Sequence, residues 1–205
     1  MKTKIKICGF TSEDELGCIR AGEVALAGMV VFCPESRRSI SLLQAKKIME
    51  AVPEGTGKVA VTVSPSLEEV LEIEAAGFDY VQIHGILHPE ILRHEGIPII
   101  RAVNGKNMAA LEEDGRICAW LFDSACPGSG RTFDWEWMSS IRQKNKPWIL
   151  AGGLTPSNVG EAIRSIHPAM VDVSSGVEYT QGKGKDPEKI RAFIRAVAEA
   201  DQEKI

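Results

Sequence analysis

A thiol, a carboxyl group, a pair of arginines, a histidine and two runs of small residues carry the chemical possibilities of this chain. Cys8 follows the alternating stretch Lys4-Ile5-Lys6-Ile7, and Asp123 ends the apolar run Trp120-Leu121-Phe122. A thiol facing a cationic pocket loses its proton near neutrality and serves as a general base or nucleophile. Otherwise a free cysteine is a small apolar filler of the core. A carboxyl group against apolar neighbours has a raised pKa, which suits a general acid; the alternative is a cap for the loop that follows. Arg37 and Arg38 offer guanidinium forks that grip a carboxylate at two points, or they are solvated surface. His84, just before Gly85, is a substrate contact or a hydrogen-bonded rim residue. Asp172, inside an apolar run, is a second buried carboxyl or a structural hydrogen-bonding group.

Gly152-Gly153 and Ser174-Ser175-Gly176 each interrupt a short apolar run, at 148–151 and 169–173. Small residues leave backbone N–H groups uncovered, and bare amides beside a helix N-terminus form an anion site. In an eight-fold barrel, the loops after the last two strands are where a phosphate sits.

These groups act together only if the fold gathers them. Apolar patterning predicts strands at 4–8, 29–32, 58–63, 79–83, 97–103, 117–122, 148–151 and 169–173. Helices are expected between them: one capped by Ser12 and stopping at Gly22, then others started by Ser41 and Ser66. Further helices are expected at 89–94, 107–114, from Asp134, at 156–166 behind Thr155, and from Pro187 to about 200 behind Asp186. Strands alternating with helices imply parallel βαβ units, and eight of them close into an α/β fold of the (β/α)8 TIM-barrel type. A doubly wound open sheet is the alternative, weakened because no G-x-G-x-x-G follows the first strand. The Gly/Ser stretch 124–132, with Cys126 and Gly128-Ser129-Gly130, reads as a flexible loop after the sixth strand.

The chain has 205 residues, which favours a single domain over 1–205 at about 100–200 residues per domain. A net charge of −4 without a basic run speaks against nucleic acid or an anionic membrane as partner, so any affinity for phosphate is local. The N-terminus has no apolar segment of the signal-peptide kind, and no apolar run approaches the roughly 18 residues of a membrane span. Five cysteines without a C-x-x-C pair indicate neither disulfides nor zinc, and a reducing cytoplasm is the expected compartment.

Six motifs then occur in one order along the chain: Lys6-Ile7-Cys8-Gly9-Phe10-Thr11, Val81-Gln82-Ile83-His84-Gly85, Phe122-Asp123-Ser124, Gly128-Ser129-Gly130 with Phe133-Asp134-Trp135, Leu150-Ala151-Gly152-Gly153-Leu154, and the stretch from Val171 to Glu178. Together they resemble the phosphoribosylanthranilate isomerase family, (β/α)8 enzymes of tryptophan biosynthesis. The resemblance implies an Amadori rearrangement of N-(5'-phosphoribosyl)anthranilate without cofactor or metal. It implies Cys8 as general base, Asp123 as general acid and Arg38 as holder of the anthranilate carboxylate. It places Gly152, Gly153, Ser175 and Gly176, beside Ser174, in the phosphate loops. The expected partner is a small phosphorylated substrate, and the expected assembly a monomer or homodimer. Phe10 replaces an aliphatic residue of the family, Pro34-Glu35-Ser36-Arg37-Arg38 replaces its Ser-Pro-Arg, and the 180–186 loop is one residue longer. Competing functions are the related histidine-pathway isomerase, expected to use two aspartates, a bifunctional enzyme, or a non-catalytic barrel that binds a phosphorylated ligand.

Overall fold

A computed structural model describes residues 2–104, 115–123, 146–181 and 183–203. The expected helices at 107–114 and after Asp134, and the 124–132 loop with Cys126, lie outside the described residues.

Eight parallel strands run in sequential order and close on themselves: β1 (Lys4–Cys8), β2 (Leu26–Val30), β3 (Gly57–Val63), β4 (Tyr80–His84), β5 (Ile99–Asn104), β6 (Ile117–Asp123), β7 (Trp148–Ala151) and β8 (Met170–Val173). The closing seam pairs β1 with β8, Lys4 opposite Met170 through Ile7 opposite Val173. The described helices are α1 (Leu42–Ala51), α2 (Leu67–Ala76), α3 (Pro89–Arg93), α4 (Val159–Ile166) and α5 (Pro187–Gln202).

The two-residue period of a strand sorts its side chains into two cores. Cys8, Val30, Val59, Val61, Ile100, Ala102, Leu121, Ile149 and Ala151 fill the barrel interior. Ile7, Ala60, Val81, Ile83, Trp120, Phe122, Leu150 and Val171 face outward and pack with the helices, against Ile48, Ile73, Ile163, Ile190 and Phe193. Buried on both faces, the strands read as continuous apolar runs, as parallel strands do.

The helix starts follow from capping chemistry. Ser41 accepts from the backbone of Gln44, and Ser66 and Glu69 form a reciprocal capping box. Asp186 accepts from Glu188 and Lys189, with Pro187 as the first helical residue of α5. At the far end of α5, Asp201 accepts from the Thr3 backbone at 2.6 Å and its hydroxyl at 2.9 Å, tying the last helix to the first strand.

Three elements differ from the sequence expectation. The expected helix from Ser12 is a single 3-10 turn, Glu13–Leu16, and Ser12 makes no side-chain cap. Glu15 instead turns back to accept from the Thr11 amide and hydroxyl, at 3.0 and 2.7 Å, which closes the segment into a local turn. Strand β2 begins three residues early because its ladder with β3 runs from Leu26 opposite Gly57 to Val30 opposite Val61, while Phe32 turns left-handed at φ 53°. Helix α4 starts at Val159 because Asn158 accepts from the Thr155 amide at 2.8 Å, folding 155–158 into a turn rather than a first helical turn.

A buried ion pair interrupts the inner core. Lys6 is 0% exposed and its Nζ lies 3.0 Å from Oδ1 of Asp172, its register partner across the β1–β8 seam. Removing one member of a buried ion pair strands the other charge, at a cost of about 3–5 kcal/mol, whereas replacing both with apolar groups is nearly neutral. In urea unfolding, Lys6→Met is therefore expected to lose stability on that scale and Lys6→Met/Asp172→Leu to regain more than half of it. A double variant as unstable as the single one would show that the pair does not hold the seam together.

Candidate active site

The carboxyl ends of the strands bring Cys8, His84 and Asp123 to one mouth of the barrel. Cys8 points inward and is buried among Val30, Val61 and Ala151. Asp123 follows inward-facing Leu121 by two residues, so it leaves β6 on the same side, and its side chain is exposed at the rim. Lys6, two residues before Cys8, shares its face. Gly28 lies opposite: a methyl group there would stand 3.2 Å from the Cys8 sulfur and 3.3 Å from the Lys6 nitrogen. The glycine thus leaves room for sulfur and ammonium side by side.

Burial pushes the Cys8 thiol above its ordinary pKa; Lys6 and Lys185 pull it down, and Asp172 adds to the rise. Desolvation thus outweighs the attraction of both ammonium groups and favours the thiol over the thiolate. Although Asp123 reaches the surface at the rim, the protein packed around its carboxyl group still raises its pKa by desolvation, the field of Asp172 adding to this and Lys6 opposing. Both groups thus respond to the same buried pair. Burial pulls Lys6 down, but Asp172 and Cys8 outweigh it and leave the lysine above its usual value. Asp172 itself is held up by burial, against Lys6 and Lys185.

The two arginines separate clearly. Arg37 is 69% exposed, while Arg38 is 25% exposed and runs its chain over Gly9, the residue after Cys8. A methyl group on Gly9 would come within 2.5 Å of Arg38 Cδ and 3.2 Å of the Ser174 hydroxyl, and Gly9 has a left-handed φ of +84°. Both the backbone and the arginine therefore require glycine there. Arg38 donates through Nε at 2.5 Å and Nη2 at 3.2 Å to Glu178, which also accepts from Arg37 and, at 3.2 Å, from Lys185. Lys185, its side chain fully buried, donates as well to the Ser174 carbonyl at 3.2 Å.

The ends of β7 and β8 form a cup. Gly152 and Gly153 both have positive φ, 90° and 66°. A methyl group on Gly176 would lie 1.9 Å from the Leu154 carbonyl oxygen, so the two loops touch backbone to backbone. Among the described residues, the amides of Gly153, Ser175 and Gly176 donate to no other group. Uncovered amides on adjoining loops suit an anion such as a phosphate.

The Gln82 amide nitrogen lies 2.8 Å from His84 Nε2. Arg101, within β5, donates to the carbonyls of Ile83 and Gly85 at 2.9 and 2.6 Å, bracing the backbone around His84. Sequence patterning does not single out Lys6, Lys185 or Glu178 as site residues. Lys6 could have been found from its two-residue offset to Cys8. Nothing in a glycine- and lysine-rich loop signals that Lys185 is buried. Among the described residues no group of three or more His, Cys, Asp and Glu side chains could hold a metal, and no helix is long and apolar enough to cross a membrane.

A closed parallel barrel with titratable groups gathered at the carboxyl ends of its strands defines a (β/α)8-barrel enzyme. The family model described as "N-(5'phosphoribosyl)anthranilate (PRA) isomerase" matches residues 5–196. The Streptococcus mutans protein named N-(5'-phosphoribosyl)anthranilate isomerase is 41% identical over 199 residues, covering 95% of this chain and 98% of that one. The crystal structure of TrpF from Jonesia denitrificans superposes with a TM-score of 0.82 at 30% identity, covering 97% and 98% of the two chains. A phosphoribosyl anthranilate isomerase in complex with reduced 1-(o-carboxyphenylamino)-1-deoxyribulose 5-phosphate gives 0.79 at 33% identity, covering 96% and 99%. The chain belongs to the phosphoribosylanthranilate isomerase family and is an isomerase.

Burial, with Lys6 and Arg101 nearby, lowers His84 from 6.5 to about 4. The unfolded chain then binds a proton between those values and the folded chain does not, so stability is present above pH 6.5 and is lost as pH falls toward 4. Denaturation at pH 7 and at pH 4.5 is expected to show a smaller acid loss for His84→Asn than for the natural chain. Equal acid losses would mean that His84 is not kept neutral by its surroundings.

Proposed function

We propose that the protein is a cytoplasmic N-(5'-phosphoribosyl)anthranilate isomerase of tryptophan biosynthesis, a monomer or homodimer, with Cys8 as general base and Asp123 as general acid. Its reaction needs no metal or cofactor. The single observation that carries the reading is the convergence of thiol and carboxyl on one buried Lys6–Asp172 pair at the barrel mouth.

The uncovered amides of Gly153, Ser175 and Gly176 take the substrate phosphate, with Gly152 and Ser174 shaping the loops. Arg38 takes the anthranilate carboxylate, and His84, as a neutral imidazole, lines the rim between them. Anchoring both ends fixes the sugar C2 near the sulfur, which converts a chance encounter into a positioned one. Protonated Asp123 donates to the furanose ring oxygen as the C1–O bond breaks and the anthranilate nitrogen forms an iminium. The ring oxygen becomes a free hydroxyl. The iminium acidifies the C2–H bond, and the Cys8 thiolate removes that proton, its electrons neutralising the iminium to an enolamine. Tautomerisation places a proton on C1 and leaves the C2 ketone.

This chemistry requires thiolate and carboxylic acid at once, although the carboxyl group is the stronger acid of the two. The active form is a minority tautomer of the singly protonated pair, present in constant proportion while the pair holds one proton. We expect a bell-shaped kcat/KM with a broad neutral plateau, rising through the Asp123 pKa and falling above that of Cys8.

In a fluorescence assay that follows loss of the anthranilate adduct, Cys8→Ala and Asp123→Asn are each expected to lower kcat by roughly 10²–10⁴-fold. Both should still bind reduced 1-(o-carboxyphenylamino)-1-deoxyribulose 5-phosphate. Near-normal rates in both variants would refute the assignment. Arg38→Ala is expected to raise KM by about ten- to a hundredfold, the scale of a lost charge-assisted fork, with Arg37→Ala changing it little. The histidine-pathway aminoaldose run in parallel separates a bifunctional enzyme, and absent turnover of both substrates would indicate a binding barrel.

A further inference from the structure

Glu178 takes no part in the proton transfers above, yet among the described residues it accepts from more cationic side chains than any other carboxylate at the mouth. Its side chain is 12% exposed and accepts from Arg37, Arg38 and Lys185. Its own backbone is fixed: the amide donates to Ser175 at 3.1 Å, and the carbonyl accepts from Lys189 at 2.7 Å. The group is therefore a rigid post standing just after the phosphate loop.

A guanidinium is planar and has two edges that can chelate a carboxylate: the side edge of Nε and Nη2, and the end edge of Nη1 and Nη2. Glu178 takes the side edge of Arg38, with Nε to Oε1 at 2.5 Å and Nη2 to Oε2 at 3.2 Å. Among the described residues Nη1 has no partner, so the end edge is left for a ligand. An arginine has about 2 kcal/mol of rotamer freedom to lose on binding. A fork already pinned along one edge has lost most of that freedom before the ligand arrives, so its free edge binds more tightly.

We propose that Glu178 is a positioning residue that presents the end edge of Arg38 to the substrate carboxylate, and so sets selectivity for a carboxylated amine. This deepens the proposed function and rests on it. The opposite role is physically available: Glu178 could be an internal competitor that occupies Arg38 until substrate displaces it. The two roles predict opposite signs when the carboxylate is neutralised.

The test measures kcat and KM of the natural chain, Glu178→Gln and Glu178→Ala with two substrates: N-(5-phosphoribosyl)anthranilate, and N-(5-phosphoribosyl)aniline, which lacks the carboxylate. For the anthranilate adduct, KM is expected to rise by about tenfold in Glu178→Gln and further in Glu178→Ala, the scale of one weakened charge-assisted hydrogen bond. The rise for the aniline adduct is expected to be several-fold smaller. Effects transmitted through Lys185 to Cys8 appear with both adducts and in kcat, so the difference between substrates isolates the arginine. A KM that falls, or that rises equally for both adducts, overturns the proposal. If the natural chain turns over neither adduct, the proposed function fails instead, and the two failures are told apart.

Discussion

The Lys6–Asp172 ion pair is the interaction on which the site depends, because it lies where the barrel closes and acts on both Cys8 and Asp123. Charges at 3.0 Å in a buried interior oppose their own burial, and their mutual attraction offsets that cost. The pair fastens the first strand to the last. It also places a cation beside Cys8 and an anion within reach of Asp123. Fold and chemistry are therefore not separable at this point: what closes the cylinder also adjusts the proton affinities at its mouth, on top of the larger effect of burial. Asp172 raises both groups while Lys6 lowers both, so neither member moves thiol and carboxyl in opposite directions. The thiol is the more fully buried of the two, and that burial favours the proton on sulfur.

Around this pair the cations are graded by burial rather than by number. The chain carries a net charge of −4, yet Lys6, Lys185 and Arg38 gather at one end of the barrel. Glu178 draws two of them, with Arg37, into one cluster. An anionic ligand with two charged ends fits such a surface because each end finds different chemistry: uncovered amides on one side and a guanidinium edge on the other.

Much of this was legible in the sequence. Short apolar runs ending in Gly or Ser at 148–153 and 169–176 located the last two strands and their loops, because strands buried on both faces leave a plain hydrophobic signature. Ser41, Ser66 and Asp186 marked helix starts through chemistry that is local and therefore readable. The misreadings arose where side chains outcompeted propensity. Glu15 captured Thr11 and reduced a helix to one turn, and Asn158 captured Thr155 and delayed another. The state of Cys8 could not be read at all. It is set by a balance between burial and two lysines, one of them 177 positions away in the chain. Patterning alone did not separate Arg37 from Arg38; the motif resemblance pointed to Arg38, which lies over Gly9 and is the less exposed of the two.

Gly176 carries a last consequence. Because any side chain there would strike the Leu154 carbonyl, the turns after β7 and β8 are nested surfaces with no slack between them. A barrel redesigned at one of these turns must keep the other's backbone in place, because the contact tolerates no added side chain. The last two turns are thus coupled through one backbone contact, and a change in either is felt by the other.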